Sequence, residues 1–434
     1  MIPAARLSAA IEVLADIEGR RRPAADALKD WGLAHRFAGS GDRSAIGTLV
    51  YDTLRRRSSA AALMGREGPR ATLIGALRLA RGWSPETISG LFSGERFAPS
   101  PLTDEEQAAL GRDAEAIMAA APPWVAGDYP QWLDPALAAS FGESRVAEAR
   151  AMAERAPVDL RVNTLRCDRE TARADLAPLG AVPTPLSPLG LRIDIAADGR
   201  APAIQAEPAF QRGFIEIQDE GSQIAGLLAG ARPGSTVVDL CAGGGGKTLE
   251  LAAAMRNEGI LYATDSDKRR LAPIWERLTR AGISIVEVRH PRGRSDEPLS
   301  DVAGKADLVV VDAPCTGTGT WRRNPDAKWR VRPSSLEGRI ADQATVLDRA
   351  ARLVKPGGRI AYITCSVLRH ENDDAVAGFL GRNDGFARVA PEKAAVAAGL
   401  DGLANRTSPG GHGLQLTPLR TGTDGFFFSL LRRT

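Results

Sequence analysis

Only four cysteines occur in the 434 residues: Cys167, Cys241, Cys315 and Cys365. None forms a CxxC pair and no histidine stands at ligand spacing, so no metal site is expected. Sparse unpaired thiols fit a reducing cytoplasmic setting. No run of 18 or more apolar residues occurs, so no membrane span is expected. The opening stretch MIPAARLSAA lacks the basic-then-apolar pattern of a secretory leader. An excess of either charge is also lacking: 56 Lys and Arg against 53 Asp and Glu leave a net charge of +3, which says little by itself. Its distribution says more.

Arginines cluster in GRRRP (19–23), LRRRS (54–58) and WRRNPDAKWRVRP (321–333). The first two are as easily solvated faces as contacts. The third interleaves two tryptophans with five cations, a pattern suited to phosphate contact and base stacking. Arg322, Arg323, Lys328 and Arg330 are therefore expected to grip phosphates, with Trp321 or Trp329 stacking or packing.

Three regions follow along the chain. Residues 1–125 read as helical: Leu7, Ala10, Leu14 and Ile17 share one helical face, as do Ile46, Leu49, Val50 and Leu54. Asp42 is expected to cap the second of these helices. The Pro- and Gly-rich stretch 121–133 reads as a linker. Residues 134–225 read as a small α+β lobe, with strands at VDLRVNTL and LRIDIA and a helix between them ending at Gly180. From 226 to 434, strands and helices alternate. TVVDLC, GILYATD, ADLVVVDAP and GRIAYITCS read as strands of a parallel sheet with helices on both faces. They end at Asp239, Asp265, Asp312 and Cys365, which should face one crevice, since ligands in open α/β sheets bind beyond the carboxyl ends of the strands.

The loop DLCAGGGGKT (239–248) presents four consecutive glycines before Lys247 and Thr248. A P-loop would need its first glycine where Cys241 stands, and a dinucleotide fingerprint its third where Thr248 stands. A bend around S-adenosylmethionine fits better. Glycines admit close backbone approach, loop N–H groups meet a carboxylate at the helix start, and Asp265 at the next strand end can accept from two ribose hydroxyls. The NTPase remains the rival from the GKT ending and Asp312.

Cys315 and Cys365 lie just beyond two strands of the same sheet. Beside a methyl donor, a thiolate can add to carbon 6 of cytosine and make carbon 5 nucleophilic, which is covalent catalysis. Asp312 is suited to hold a proton at ring nitrogen 3, and Lys247 to favour a thiolate. The residues alone leave open which thiol attacks.

RVNTLR (161–166), IQDEGSQ (217–223), DLCAGGGGKT, DAPCTGTG, RRNPDAKW (322–329) and TCSVLRHEN (364–372), in this order, resemble the Sun/RsmB (Nop/Sun-domain) family of RNA cytosine-5 methyltransferases. The resemblance implies a Rossmann-like S-adenosylmethionine-dependent methyltransferase domain, an RNA-recognition-like α+β lobe, and a helical N-terminal domain like the antitermination factor NusB, which binds RNA. It implies Cys365 as nucleophile and Cys315 as the thiol assisting product release; DNA cytosine methyltransferases instead use a Pro-Cys thiol. It further implies that Cys241, Ala242, Gly243, Gly244, Gly245, Gly246, Lys247, Asp265 and Asp312 line the cofactor. The expected substrate is structured RNA, small-subunit ribosomal RNA first and transfer RNA second, acted on by a monomer. A non-catalytic RNA-binding scaffold is the other class. The chain departs from the family in having Gly for Pro in the glycine loop. It also lacks an acid after the third strand until Asp296, where His290 is the nearby polar residue.

Overall fold

The stripe of Leu7, Ala10, Leu14 and Ile17 lies buried on a helix spanning Pro3–Arg20, and Ile46, Leu49, Val50 and Leu54 on another spanning Ser40–Arg55. Both enter one apolar core with Leu73, Ile74 and Leu77 of the helix Pro69–Arg81. This computed structural model describes residues 1–195, 199, 201–291, 293 and 297–434. The chain divides into two compact units, one comprising Met1–Arg155, Ala196–Arg200 and Thr320–Arg332, the other the remainder.

Three expectations for the helical unit are corrected. Asp42 does not cap a helix. The helix starts at Ser40 after Gly39, and the Asp42 carboxylate is taken by the Met1 ammonium (3.1 Å) and Arg6 (2.8 Å). The 121–133 stretch is not a loose linker. It forms a short helix, Pro123–Ala126, and a turn that buries Tyr129 and Leu133, while the Asp128 carboxylate accepts from Ser59 Oγ at 2.7 Å. Part of the tryptophan-flanked basic motif is withdrawn from the surface, while Arg330 stays exposed. Trp321, Arg322 and Lys328 are buried. Lys328 Nζ donates to the Arg55 carbonyl at 3.0 Å, Trp329 Nε1 to the Leu54 carbonyl at 2.7 Å, and Arg330 pairs with Asp326 at 3.0 Å. Burial pulls the Lys328 ammonium down to about 7 despite Asp128. A cation this dehydrated serves to cap backbone carbonyls rather than to meet phosphate. The LRRRS run is likewise engaged: Arg55 donates to the Arg322 carbonyl at 2.7 Å, Arg56 pairs with Glu154, and Arg57 with Glu18.

The second unit carries two sheets. The smaller is antiparallel, formed by β1 (Val158–Val162), β2 (Val182–Pro183), β3 (Gly190–Ile193) and β4 (Ile215–Ile217) in the order β2-β3-β1-β4. The second strand was expected to run to Ala196, which lies outside the described residues. The helix between begins at Asp168, whose carboxylate accepts from Thr171 N, and the segment ends on Gly180 with φ +72°, as its turn requires.

The larger sheet comprises β5 (Thr236–Asp239), β6 (Ile260–Thr264), β7 (Val286–Arg289), β8 (Ala306–Asp312), β9 (Val354–Thr364), β10 (Phe386–Arg388), β11 (Leu414–Leu416) and β12 (Phe426–Arg433). Its order is β10-β12-β9-β8-β5-β6-β7, with β11 on β12. The strands β5 to β9 are parallel, and the apolar runs of β5, β8 and β9 are buried on both faces, while β7 at the edge is only half-buried. The β12 strand is antiparallel to β9, an addition that a purely parallel reading does not contain. The order reverses between β5 and β8, the switch point where such sheets bind ligands.

In the helical unit, Gly75 lets the helices Arg57–Met64 and Pro69–Arg81 touch: a Cβ there would stand 2.6 Å from the Ala60 carbonyl oxygen. Gly75→Ala is expected to destabilise this unit by about 1–3 kcal/mol, seen as a lower calorimetric transition; an unchanged midpoint refutes the contact.

Candidate active site

The sheet places the ends of β6, β5, β8 and β9 side by side. From these ends rise, in that order, Asp265, the glycine loop, Asp312 and Cys365. The loop turns through Gly243 (φ +52°) and Gly245 (φ +87°), and a Cβ on Gly245 would stand 2.6 Å from Ile274. Both features demand glycine. The loop delivers a helix, Gly246–Ala254. Arg277 Nη1 holds the Gly244 carbonyl at 2.6 Å and Arg161 Nη1 the Gly246 carbonyl at 3.3 Å. Both arginines are fixed by carboxylates, Arg277 by Glu216 at 3.0 Å and Arg161 by Glu250 at 3.3 Å.

Two carboxylates flank the loop. Asp265 is buried; its oxygens accept from Gly243 N (3.1 Å) and Asp267 N (2.9 Å), and Arg270 pairs with it at 3.1 Å. A carboxylate offers about four acceptor positions, so one remains. Asp239 is fully buried. Its Oδ2 accepts from Thr248 Oγ1 at 2.7 Å, while its Oδ1 has no partner among the described residues. Burial pushes this carboxyl up to about 7, against the Thr248 hydrogen bond.

Lys247 leaves the first turn of the helix and is buried. Its Nζ donates to Asp312 Oδ2 at 2.9 Å and to Ser222 Oγ at 3.0 Å, and lies 5.2 Å from the Phe426 ring centre. Burial opposes its charge, but the Asp312 carboxylate outweighs this and holds the ammonium above its ordinary range, with a smaller share from Cys365. A P-loop lysine must be free to reach phosphates; this one is spent on Asp312.

Cys315 Sγ lies 3.4 Å from Cys365 Sγ. The Cys315 thiol is pushed well above its usual range, by its hydrogen bond to Cys365, then by burial, with the Glu371 carboxylate adding to it. Cys241 is also pushed up, by burial and then by Asp239, which makes it a poor nucleophile. His290 follows β7 with its Nδ1 3.2 Å from the Pro291 carbonyl, and Asp296 lies outside the described residues.

Reasoning from sequence did not single out Ser222, Arg277, Glu216, Phe426 or Glu371. Ser222 and Glu371 do sit inside the quoted motifs IQDEGSQ and TCSVLRHEN. The others carry no local signal.

With this geometry in view, residues 227–432 match the family model described as 16S rRNA methyltransferase RsmB/F, and residues 129–198 match its ferredoxin-like domain. A ribosomal RNA small subunit methyltransferase B of Xylella fastidiosa (strain 9a5c) is 35% identical over 309 residues, covering 70% of this chain and 68% of that protein. The chain belongs to the Sun/RsmB family of methyltransferases. The protein of the same name from Cronobacter sakazakii is 32% identical, over 70% of this chain and 66% of its own length. The crystal structure of PH0851 shares the fold with a TM-score of 0.72 and 26% identity, over 100% of this chain and 99% of that one. The family's cofactor is S-adenosylmethionine. The residues present fit it: a glycine loop that turns through two positive-φ glycines with no room for a side chain at Gly245, an open acceptor position on buried Asp265, and the Asp239 Oδ1 with no partner among the described residues.

A carboxyl whose folded pKa is raised binds its proton more tightly in the folded state. Its contribution is full below the unfolded value near 3.8 and is lost as pH rises through about 7. Asp239→Asn should flatten the fall in stability between those values, read as the melting temperature against pH; an unchanged slope contradicts the shift.

Proposed function

We propose that the chain transfers a methyl group from S-adenosylmethionine to carbon 5 of a cytidine in structured RNA, most simply small-subunit ribosomal RNA. The observation that carries this reading is the Cys315–Cys365 pair at 3.4 Å beside the paired Lys247 and Asp312. The relatives' printed activity on small-subunit ribosomal RNA supports the substrate class.

The bound cofactor supplies an electrophilic methyl group at a sulfonium centre. Asp265 and the glycine loop hold it, and the chain's other residues prepare and release the base. Cys365, as thiolate, forms a bond to carbon 6 and pushes the ring's electron pair to carbon 5. Asp312 is one-third exposed and anchored by Lys247, which suits it to hold a proton at ring nitrogen 3. For release, carbon 5 gives up its proton to a base. The freed pair rebuilds the C5–C6 double bond, and the C6–Sγ bond breaks with its electrons returning to Cys365. Cys315 is placed to assist that step. Carbon 6 is hidden inside a helix, so the target cytidine has to be unstacked first.

Cys365→Ala is expected to reduce methylation of ribosomal RNA to background while cofactor affinity by calorimetry stays close to wild type. Cys315→Ala is expected to accumulate a covalent RNA–protein adduct, a slow band on a denaturing gel. Normal turnover by Cys365→Ala overturns the nucleophile assignment. Asp265→Ala should weaken S-adenosylmethionine binding roughly 5- to 150-fold, the equivalent of about 1–3 kcal/mol for hydrogen bonds to a charged acceptor; unchanged calorimetric affinity removes Asp265 from the cofactor site.

A further inference from the structure

Glu371 is fully buried, and its carboxylate accepts four hydrogen bonds beside the two thiol loops. Its Oε1 accepts from Thr316 N at 2.8 Å and Gln343 Nε2 at 3.1 Å. Its Oε2 accepts from Thr316 Oγ1 and Ser366 Oγ, each at 2.5 Å. Thr316 follows Cys315 in the chain, and Ser366 follows Cys365. Gln343 also donates to the carbonyl of Pro314, which precedes Cys315, at 3.0 Å. One carboxylate thus ties the neighbours of both thiols together, across two loops whose cysteines lie 50 residues apart in the chain.

The clamp is itself held. Tyr362 of β9 donates its hydroxyl to the Glu371 carbonyl at 2.6 Å. Asn372 donates to the Ser366 carbonyl at 2.9 Å and accepts from Thr364 Oγ1 at 2.6 Å. Thr318 Oγ1 meets Ser366 Oγ at 3.0 Å, and Gly319 N donates to the Cys365 carbonyl at 2.9 Å. Burying a carboxylate is costly unless its lone pairs are filled. Here four donors fill them, and all four belong to or brace the cysteine loops.

We propose that Glu371 is a positioning residue that fixes Cys315 against Cys365, and thereby sets how efficiently the covalent RNA adduct is released. It touches neither base nor cofactor and acts only through the two loops. The part concerning release rests on the function proposed above; the part concerning thiol separation does not.

Two measurements on the full chain test it. The first uses diamide, which takes two electrons and two protons from the thiol pair and closes a disulfide. Formation of the Cys315–Cys365 disulfide is followed by peptide mass spectrometry. A T316V/S366A double variant keeps the charge of Glu371 and removes two of its four donors. It should close the disulfide about fivefold more slowly than wild type, as expected for loosening hydrogen bonds to a charged group; closure at the wild-type rate overturns the clamp. The second measures the ratio of adduct to methylated product in E371Q. A rise in that ratio supports a role in release, whereas a merely structural loss lowers adduct and product together and overturns it. Should E371Q fail to fold, the double variant is scored for both readouts. If wild type itself forms neither adduct nor 5-methylcytidine, the proposed function falls while the closure rates still judge the clamp.

Discussion

The ion pair between Lys247 and Asp312 is the constraint on which the site depends. A buried ammonium has to be paired, and Asp312 at the end of β8 is its partner at 2.9 Å. That one contact locks the first turn of the helix after the glycine loop to the strand that leads into the Cys315 loop. It spans the switch point of the sheet, between β5 and β8. The glycine loop and the thiol loop are thereby fixed relative to each other by electrostatics rather than by chain connectivity. Ser222, from the helix Glu220–Ala229, fills a second donor direction of the same ammonium.

The small antiparallel sheet reaches the glycine loop through charges as well. Glu216 on β4 grips Arg277, which holds the Gly244 carbonyl, and Glu216 also pairs with Arg280. Arg161 on β1 pairs with Glu250 and reaches the Gly246 carbonyl. Asn163 completes the seam by donating to the Gly213 and Ala281 carbonyls, both at 2.9 Å. The Gly246 carbonyl of the glycine loop is therefore held by a residue 85 positions away in the chain.

This explains what sequence could and could not reveal. Period-2 and period-3.6 patterns disclosed the two apolar helices at the start of the chain and the parallel strands ending at Asp239, Asp312 and Cys365. Those strands are buried on both faces, and burial is what the apolar runs encode. Strand β12 escaped because FFFSLLRR follows no crossover helix and pairs backwards onto β9. The basic motif at 321–333 misled for a different reason. Tryptophan beside arginine reads alike whether the cations meet phosphate or cap helix carbonyls, and only burial separates the two. Lys328 and Trp329 end on the Arg55 and Leu54 carbonyls, at the close of the helix Ser40–Arg55, where unsatisfied carbonyl groups call for donors. The Arg277–Glu216 and Glu371 contacts join segments distant in sequence, so no spacing rule could disclose them.

The two thiols illustrate how position alone can make identical side chains unequal. Cys365 shares its surroundings with the Lys247 ammonium, to whose field a thiolate there contributes. Cys315 faces Cys365 across 3.4 Å and has the Glu371 carboxylate bonded to the very next residue. A carboxylate thus stands on the Cys315 side of the pair and an ammonium on the Cys365 side. Two chemically identical side chains in contact are made unequal by one buried acid and one buried base on opposite flanks.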